Sequence, residues 1–368
     1  MRHDLPRVRQ SHVGLAFDVA ADFAADGKVD KDARQAWLDG IAAIDEPADW
    51  QHAFQRFTDS LTASGGACEA MEGTLAARLV IGHGNPSPVD FGLTVHHTWG
   101  VPIIPGSALK GLLATYLEAV FGPDPEPGDD AEARAAFAGP TWKKGRLVAP
   151  PGEVIRALFG APDVPGAEGE SAAARRGQVV FHDALFVPGS AAPPFARDVL
   201  TVHQRSYYGQ GEAARQAGEA WPNDYDEPNP VAFLTVRPGA RFLIALTGDA
   251  SWCQFAVTHL KAALEGFGVG GKTTAGYGVF DPDGWRPVRF APAEDSPVAA
   301  FLEWLEAERQ GSRSQREIFE ALRADWWPRL QKVSAPNERL AAGQAISKAL
   351  NNKRLRAEVQ ALRGELDQ

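Results

Sequence analysis

The chain has 368 residues, 44% hydrophobic and 23% charged, the make-up of a globular protein that buries a sizeable core in one large domain or two ordinary ones. No apolar run approaches the ~18–20 residues of a membrane span, the start lacks a signal peptide's apolar stretch, and Cys68 and Cys253 form neither a disulfide framework nor a metal-ligand spacing. A net charge of −10 argues against a free-standing nucleic-acid binder, although local charge decides phosphate affinity; the chain reads as cytoplasmic, with no membrane contact.

Residues 1–70 are acidic and Ala-rich. Trp37, Ile41 and Ile44, then Phe54, Phe57 and Leu61, fall at helical spacing, which predicts two amphipathic helices broken near Pro47 and ended by the Ser64-Gly65-Gly66 run. Residues 71–285 alternate strands, helices and long loops. The stretch 73–82 reads as a strand. IIPG then leads into a helix with Ser107 as its N-cap and Gly122 just past its end. The Pro- and acid-rich stretch 123–134 is expected to be a mobile loop. GQVVFHDALFV, 177–187, reads as one strand in which His182 and Asp183 point to opposite faces in structural roles.

RFLIALTGD, 241–249, is a nearly all-apolar strand, SWCQFAVTHLKAALEGF, 251–267, an amphipathic helix, and AGYGVF, 275–280, a short strand. The order strand, helix, strand, strand, helix, strand gives an α+β, ferredoxin-like core with insertions, the arrangement that also underlies RNA-recognition domains. Residues 286–368 return to helix. Phe301, Trp304 and Leu305 mark one apolar face, and Phe319, Leu322, Trp326 and Trp327 a second. Adjacent tryptophans cannot share one helical stripe, so the first face is expected to pack on the protein's own core, the second to meet a partner or act as a lid, and a chain cut at about Arg313 to stay folded while binding its neighbours less well.

GFGVGGKT, 266–273, satisfies the phosphate-loop pattern G-x-x-x-x-G-K-[ST]. A nucleotide loop must follow a buried strand and open a helix. Here a helix comes before, and Gly-punctuated, strand-like sequence follows, so no nucleotide hydrolysis is expected. What remains is a glycine-dense loop whose backbone can approach an anion, with Lys272 as a point charge and Thr273 beside it. A tight helix-to-strand connection accounts for the loop alone equally well. Pro105 and Gly106 similarly place Ser107 and Lys110 at a helix start with exposed first-turn N–H groups.

His96 and His97 are adjacent in an extended run and cannot share a metal, but one of them facing RNA suits imidazole chemistry. His203, Arg205, Tyr207 and Tyr208 combine cationic, imidazole and aromatic groups that fit base stacking with backbone contact, or else a solvent-exposed hairpin. No metal or cofactor is expected.

The pair IPGSALKG (104–111) and the late Gly-rich loop, with LVIGHGNPSPVDFGLTVHHTWGVPIIPGSALKG (79–111), DVLTVHQRSYYG (198–209) and NPVAFLTVRPGARFLIAL (229–246), resembles the RAMP superfamily of CRISPR RNA-binding proteins, in particular the sixth-RAMP-subunit family of type III-B (Cmr) effector complexes. The resemblance implies a non-catalytic subunit binding crRNA at the end that holds the 3′ part of the guide, near target RNA. Its implied neighbours are other Cmr subunits: the repeated RAMP backbone subunit, the small helical subunit and an adjoining RAMP subunit. It places RNA contacts at Gly106, Ser107 and Lys110 and at Gly268, Gly270, Gly271, Lys272 and Thr273. In nuclease-competent RAMP relatives an aspartate precedes the helix start by the interval at which Asp90 stands here. A RAMP endoribonuclease using Asp90 is therefore the alternative, and a P-loop NTPase a further one.

Overall fold

Phe242–Leu246 are buried in an unbroken run, which a strand achieves only when both of its faces are covered. A computed structural model of the chain describes residues 12–19, 31–63, 67–87, 91–123, 128, 130–164, 173–202, 205–209, 211–218, 221, 229–288, 297–311, 313–333, 336–352 and 354–366. The amino-terminal helices are α1 (Val13–Val19), α2 (Lys31–Ala42) and α3 (Trp50–Ala63). Then follow β1 (Ala67–Thr74), β2 (Ile103–Ile104), α4 (Gly106–Phe121) and α5 (Ala131–Ala135). An excursion of β3 (Thr141–Lys143), β4 (Arg146–Ala149), α6 (Glu153–Phe159), β5 (Gly160–Ala161) and β6 (Arg175–Arg176) returns to β7 (Val179–Phe181) and β8 (Ala184–Phe186).

A hairpin of β9 (Phe195–Val202) and β10 (Asn229–Val236), with α7 (Arg205–Gly209) and α8 (Glu212–Ala217) between its strands, precedes β11 (Arg241–Gly248), α9 (Ala250–Gly266) and β12 (Arg286–Pro287). The last helices are α10 (Pro297–Gln310), α11 (Gln315–Ala321), α12 (Trp327–Leu330), α13 (Pro336–Ala349) and α14 (Arg356–Leu366).

The sheet runs β12-β1-β11-β8-β2, antiparallel throughout, with β7 continuing the β8 position along β11. Counting β7 and β8 as one strand, the core order is 4-1-3-2, the ferredoxin-like arrangement. α4 buries Leu109, Leu113 and Leu117 at four-residue spacing, and α9 buries Cys253, Ala256, Leu260, Ala263 and Leu264. α9 lies against α4 and across β1, β11 and β7. α2 and α3 fall where the Trp37 and Phe54 patterns put them, α1 is a third helix that neither pattern announced, and all three join the same core: the Trp50 indole donates to the Phe186 carbonyl at 3.0 Å.

Several local expectations change. The first strand is Ala67–Thr74, and 75–82 continues only through isolated bridges at Leu75 and Leu79. Residues 275–280 form no strand beyond a bridge at Phe280, because Gly276 and Gly278 take positive φ. The stretch 177–187 is interrupted. Between the pairs Phe181↔Leu246 and Leu185↔Leu243 one strand advances four residues and its partner three, so His182–Asp183 hold a β-bulge. Within 123–134, residues 131–134 open α5.

The carboxy-terminal helices form a core of their own, with Val298, Phe301 and Leu305 of α10 packed with Ile318, Phe319, Trp327, Leu330, Ala342 and Ile346. This corrects the partner-facing reading of the second tryptophan face. Leu322–Trp326 is a π-turn immediately before Pro328, whose ring would clash with the Ala324 carbonyl in a regular helix. The widened turn re-phases the chain, so Trp327 enters the core while Trp326 packs on Phe301 and Trp304 with Arg329 over its ring. A cut at about Arg313 would uncover Phe301 and Leu305, each contributing about 1.5–3 kcal/mol by burial. A chain ending at Val288 is therefore expected to elute as a folded, soluble species on gel filtration and to melt cooperatively, whereas one ending at Ser312 aggregates.

Candidate functional site

The β-bulge decides how α4 begins. It turns Asp183 so that its Oδ1 accepts the Gly106 N–H at 2.7 Å, while Pro105 occupies the cap position and Ser107 makes no capping bond. Ser107 is exposed, so the expected Ser107 cap is replaced by a carboxylate from a neighbouring strand. Gly106 is required there: a Cβ would lie 2.2 Å from the Phe181 carbonyl oxygen. The negative charge of Asp183 also occupies the positive end of the helix. The Gly106 N–H is thus not left open for phosphate as the sequence suggests, and the Ala108 and Leu109 N–H groups turn back to the Pro105 carbonyl, so anion attraction here falls mainly to side chains. His182, on the other bulge residue, bonds Thr247 Oγ1 at 2.9 Å and packs edge-on against Phe57. Both residues are structural, as expected.

Two clefts flank α4. One, about 620 Å³, is lined by Ser107 and Lys110 of α4, by Arg175 and Arg176, and by Phe159, Val180 and Phe181. Lys110 Nζ donates to the Phe159 carbonyl at 2.9 Å. The other, about 710 Å³, lies between Ala108, Gly111, Leu112 and Thr115 of α4 and the glycine loop, Gly266–Gly270 with Thr273 and Thr274. The helix that IPGSALKG opens therefore stands between the two clefts, with the glycine loop across one of them and the arginine pair across the other.

The glycine loop follows helix α9 and leads into a 3-10 turn, Thr273–Ala275, the reverse of a nucleotide loop's strand-to-helix context. Two glycines serve packing: Gly270 has φ +91° and a Cβ there would meet the Val80 oxygen at 2.2 Å, and Gly278 has φ +74° with Val269 oxygen at 1.9 Å from the equivalent position. The Gly271 N–H is spent on the Val80 carbonyl at 2.8 Å, so that amide serves the loop itself. Lys272 has φ +61°, and its Nζ stands 5.7 Å above the Phe91 ring, which stacks on His83 at 3.9 Å. Burial, then the Lys272 charge, holds His83 below the usual imidazole range. The loop is tied to the hairpin by Tyr277, whose hydroxyl donates to Asp198 Oδ2 at 2.9 Å beside Arg78.

The remaining candidates lie elsewhere. His96 and His97 sit at the start of a tight turn, not in an extended run: the His96 N–H bonds the Val101 carbonyl and the Gly100 N–H returns to the His96 carbonyl. His96 packs edge-on to Trp50, and His97 is exposed. Tyr207 and Tyr208 pack edge-to-face at 5.2 Å in α7, with Tyr208 68% exposed. Arg205 opens that helix, and His203 and Asp90 lie outside the described residues. No group of three or more possible metal ligands occurs among the described residues, and none of their helices is long and apolar enough to cross a membrane. Sequence reasoning missed Arg175, Arg176, Arg78 and Tyr277. Only the adjacent arginines after the Ala-, Gly- and Pro-rich stretch 161–174 gave a readable signal.

A sequence model of the RAMP superfamily matches residues 74–281. CRISPR system Cmr subunit Cmr6 of Pyrococcus furiosus is 30% identical over 251 residues, spanning 61% of this chain and 70% of that protein. Among solved structures, a chain from the cryo-EM structure of the type III-B Cmr-beta bound to cognate target RNA matches at 18% identity and TM-score 0.45, covering 73% of this chain and 80% of that chain. The crystal structure of Cmr6 from Pyrococcus furiosus matches at 24% identity and TM-score 0.33, covering 61% of this chain and 99% of that chain.

The cap assignment separates two substitutions. Asp183→Ala is expected to lower stability by about 1 kcal/mol or more, as loss of a helix cap does, and Ser107→Ala to leave the melting temperature nearly unchanged; thermal unfolding of both variants checks this. A second outcome concerns pH. Burial lowers the imidazole pKa of His83, His96, His182 and His259 below 6.5. Below that value the unfolded chain binds protons that the folded chain does not, so stability is lost as pH falls through the window under 6.5. A melting temperature that stays level between about pH 7.5 and about pH 5.5 would contradict this.

Proposed function

Since the chain belongs to the RAMP superfamily, with Cmr6 among its relatives, we propose that it is a non-catalytic crRNA-binding subunit of a type III-B Cmr effector complex, seated at the end that holds the 3′ part of the guide. The observation that carries this reading is the pairing of two clefts across α4. One is walled by the glycine loop and the other presents Lys110, and both lie within the family-matched segment. Single-stranded nucleic acid is held by cationic grooves that follow its backbone, with contacts indifferent to base identity.

On this reading Lys110 and Lys272 meet phosphates, and Tyr207 and Tyr208, presented from the hairpin, stack on bases. His96, packed edge-on to Trp50 in its turn, is a lesser contact, as are His97, His203 and Arg205. Other Cmr subunits and target RNA are the partners, the setting is the cytoplasm, and neither a metal nor a cofactor is required.

The double substitution Lys110→Ala with Lys272→Ala, in the assembled complex, is expected to weaken guide-RNA binding equally for unrelated guide sequences. The log–log salt dependence should become shallower by about 1.4, roughly 0.7 for each lost contact to a single strand. Filter binding across a salt series measures both. Unchanged affinity with an unchanged slope would refute the reading.

A further inference from the structure

The two clefts differ in charge, and the difference points to contacts that neither motif contains. The chain as a whole is acidic, yet the cleft at the start of α4 gathers Lys110, Arg175 and Arg176 around an apolar floor of Phe159, Val180 and Phe181, with Val180 40% exposed. Among the described residues the only carboxylate paired with these cations is Glu153, 2.7 Å from Arg175, with side chains 67% and 39% exposed. An ion pair so open to water is weak and exchanges readily for a better anion.

The arginines are also delivered by fixed backbone. They form β6, paired with Gly160 and Ala161, and the buried Arg156 anchors the approach to it by donating to the Ala173 carbonyl at 3.1 Å.

We propose that Arg175 and Arg176, together with Lys110, grip the sugar–phosphate backbone of an RNA strand that crosses α4 from the glycine-loop cleft. This rests on the reading of the chain as an RNA-binding subunit. Guanidinium forks match phosphate and carboxylate oxygens alike in bidentate geometry, and two features favour RNA over an acidic protein segment. The aromatic and aliphatic floor beside them suits ribose and base faces. Ala108 and Gly111 on one side of α4 and Ser107 and Lys110 on the other make the helix a shared wall, so a strand passing over it meets both clefts.

The test uses the assembled complex and a guide RNA titrated over a salt series. Arg175→Ala with Arg176→Ala is expected to weaken binding roughly threefold to tenfold and to make the log–log salt slope shallower by about 1.4. Both side chains are exposed, so the fold should survive, and Arg175→Lys with Arg176→Lys should keep the salt slope, because the charge stays, while losing part of the affinity with the guanidinium fork. Glu153→Gln releases Arg175 and is expected to tighten binding about twofold. If wild-type complex binds no guide RNA, the RNA-binding reading fails and this proposal with it. If wild type binds and Lys110→Ala with Lys272→Ala loses affinity while Arg175→Ala with Arg176→Ala keeps both affinity and slope, the proposal alone is overturned. Loss of a neighbouring subunit from the arginine variant, at unchanged RNA affinity, would assign the cleft to a protein and overturn it as well.

Discussion

The contact between Asp183 and the Gly106 N–H sets the geometry on which both clefts depend. It exists because one extra residue in the strand pairing turns a side chain out of the sheet and toward the next layer. Gly106 can sit against the Phe181 carbonyl only without a Cβ, so helix and strand lock at a spacing that no other residue permits. α4 is thereby fixed as a ridge with a cleft on either flank. The same contact has an electrostatic consequence. An internal carboxylate occupies the helix terminus that would otherwise attract an anion, which moves the burden of anion binding to Lys110 and its neighbours.

The core was legible in the sequence because its signals are strong and local. The apolar run at 241–249, the leucines at four-residue spacing in α4 and the amphipathic pattern of α9 each specify their element without tertiary information. The motif residues around 106–110 and 268–273 were likewise visible, and the fold places the first set in α4 and the second in a loop across a cleft from it. What escaped were features fixed by register and by contacts distant in sequence. A bulge cannot be seen in VVFHDALF, since the pattern is equally compatible with a regular strand. Ser107 looks like a cap because capping residues are recognised by position, whereas the actual cap arrives from 77 residues away. Trp326 and Trp327 looked incompatible with one core because helical spacing was assumed, and the π-turn before Pro328 removes that assumption.

The ferredoxin-like order invites comparison with RNA-recognition domains, which read bases on an open sheet face. That surface is not available here. Phe242–Leu246 are buried on both faces of β11, with α9 packed across the sheet and Trp50 and Phe57 of α3 against the β7–β8 strand. A ligand must therefore be met by loops and by the exposed side of α4, which are where the glycine loop, Lys110 and the arginine pair lie. The segment matched by the family ends at 281, and the helices from α10 onward bury their apolar residues mainly against one another, so the clefts are built without them.

Net charge and local charge then separate cleanly. At physiological salt an exposed charge is screened beyond about 8 Å, so most of the carboxylates behind a net −10 exert little force on an anion seated beside α4. What counts is the short list of groups within that distance. Around the cleft with the arginine pair the cations are Lys110, Arg175 and Arg176, and of the carboxylates nearby Glu153 pairs with Arg175 while Asp183 and Asp163 are each committed to a backbone N–H, of Gly106 and Ala174. Such an arrangement attracts a polyanion only where its backbone can reach those cations, and elsewhere the acidic surface repels it. An acidic chain of this kind would hold a strand on one defined path and resist coating by unrelated nucleic acid. A uniformly basic surface would gain affinity at every orientation and lose that discrimination.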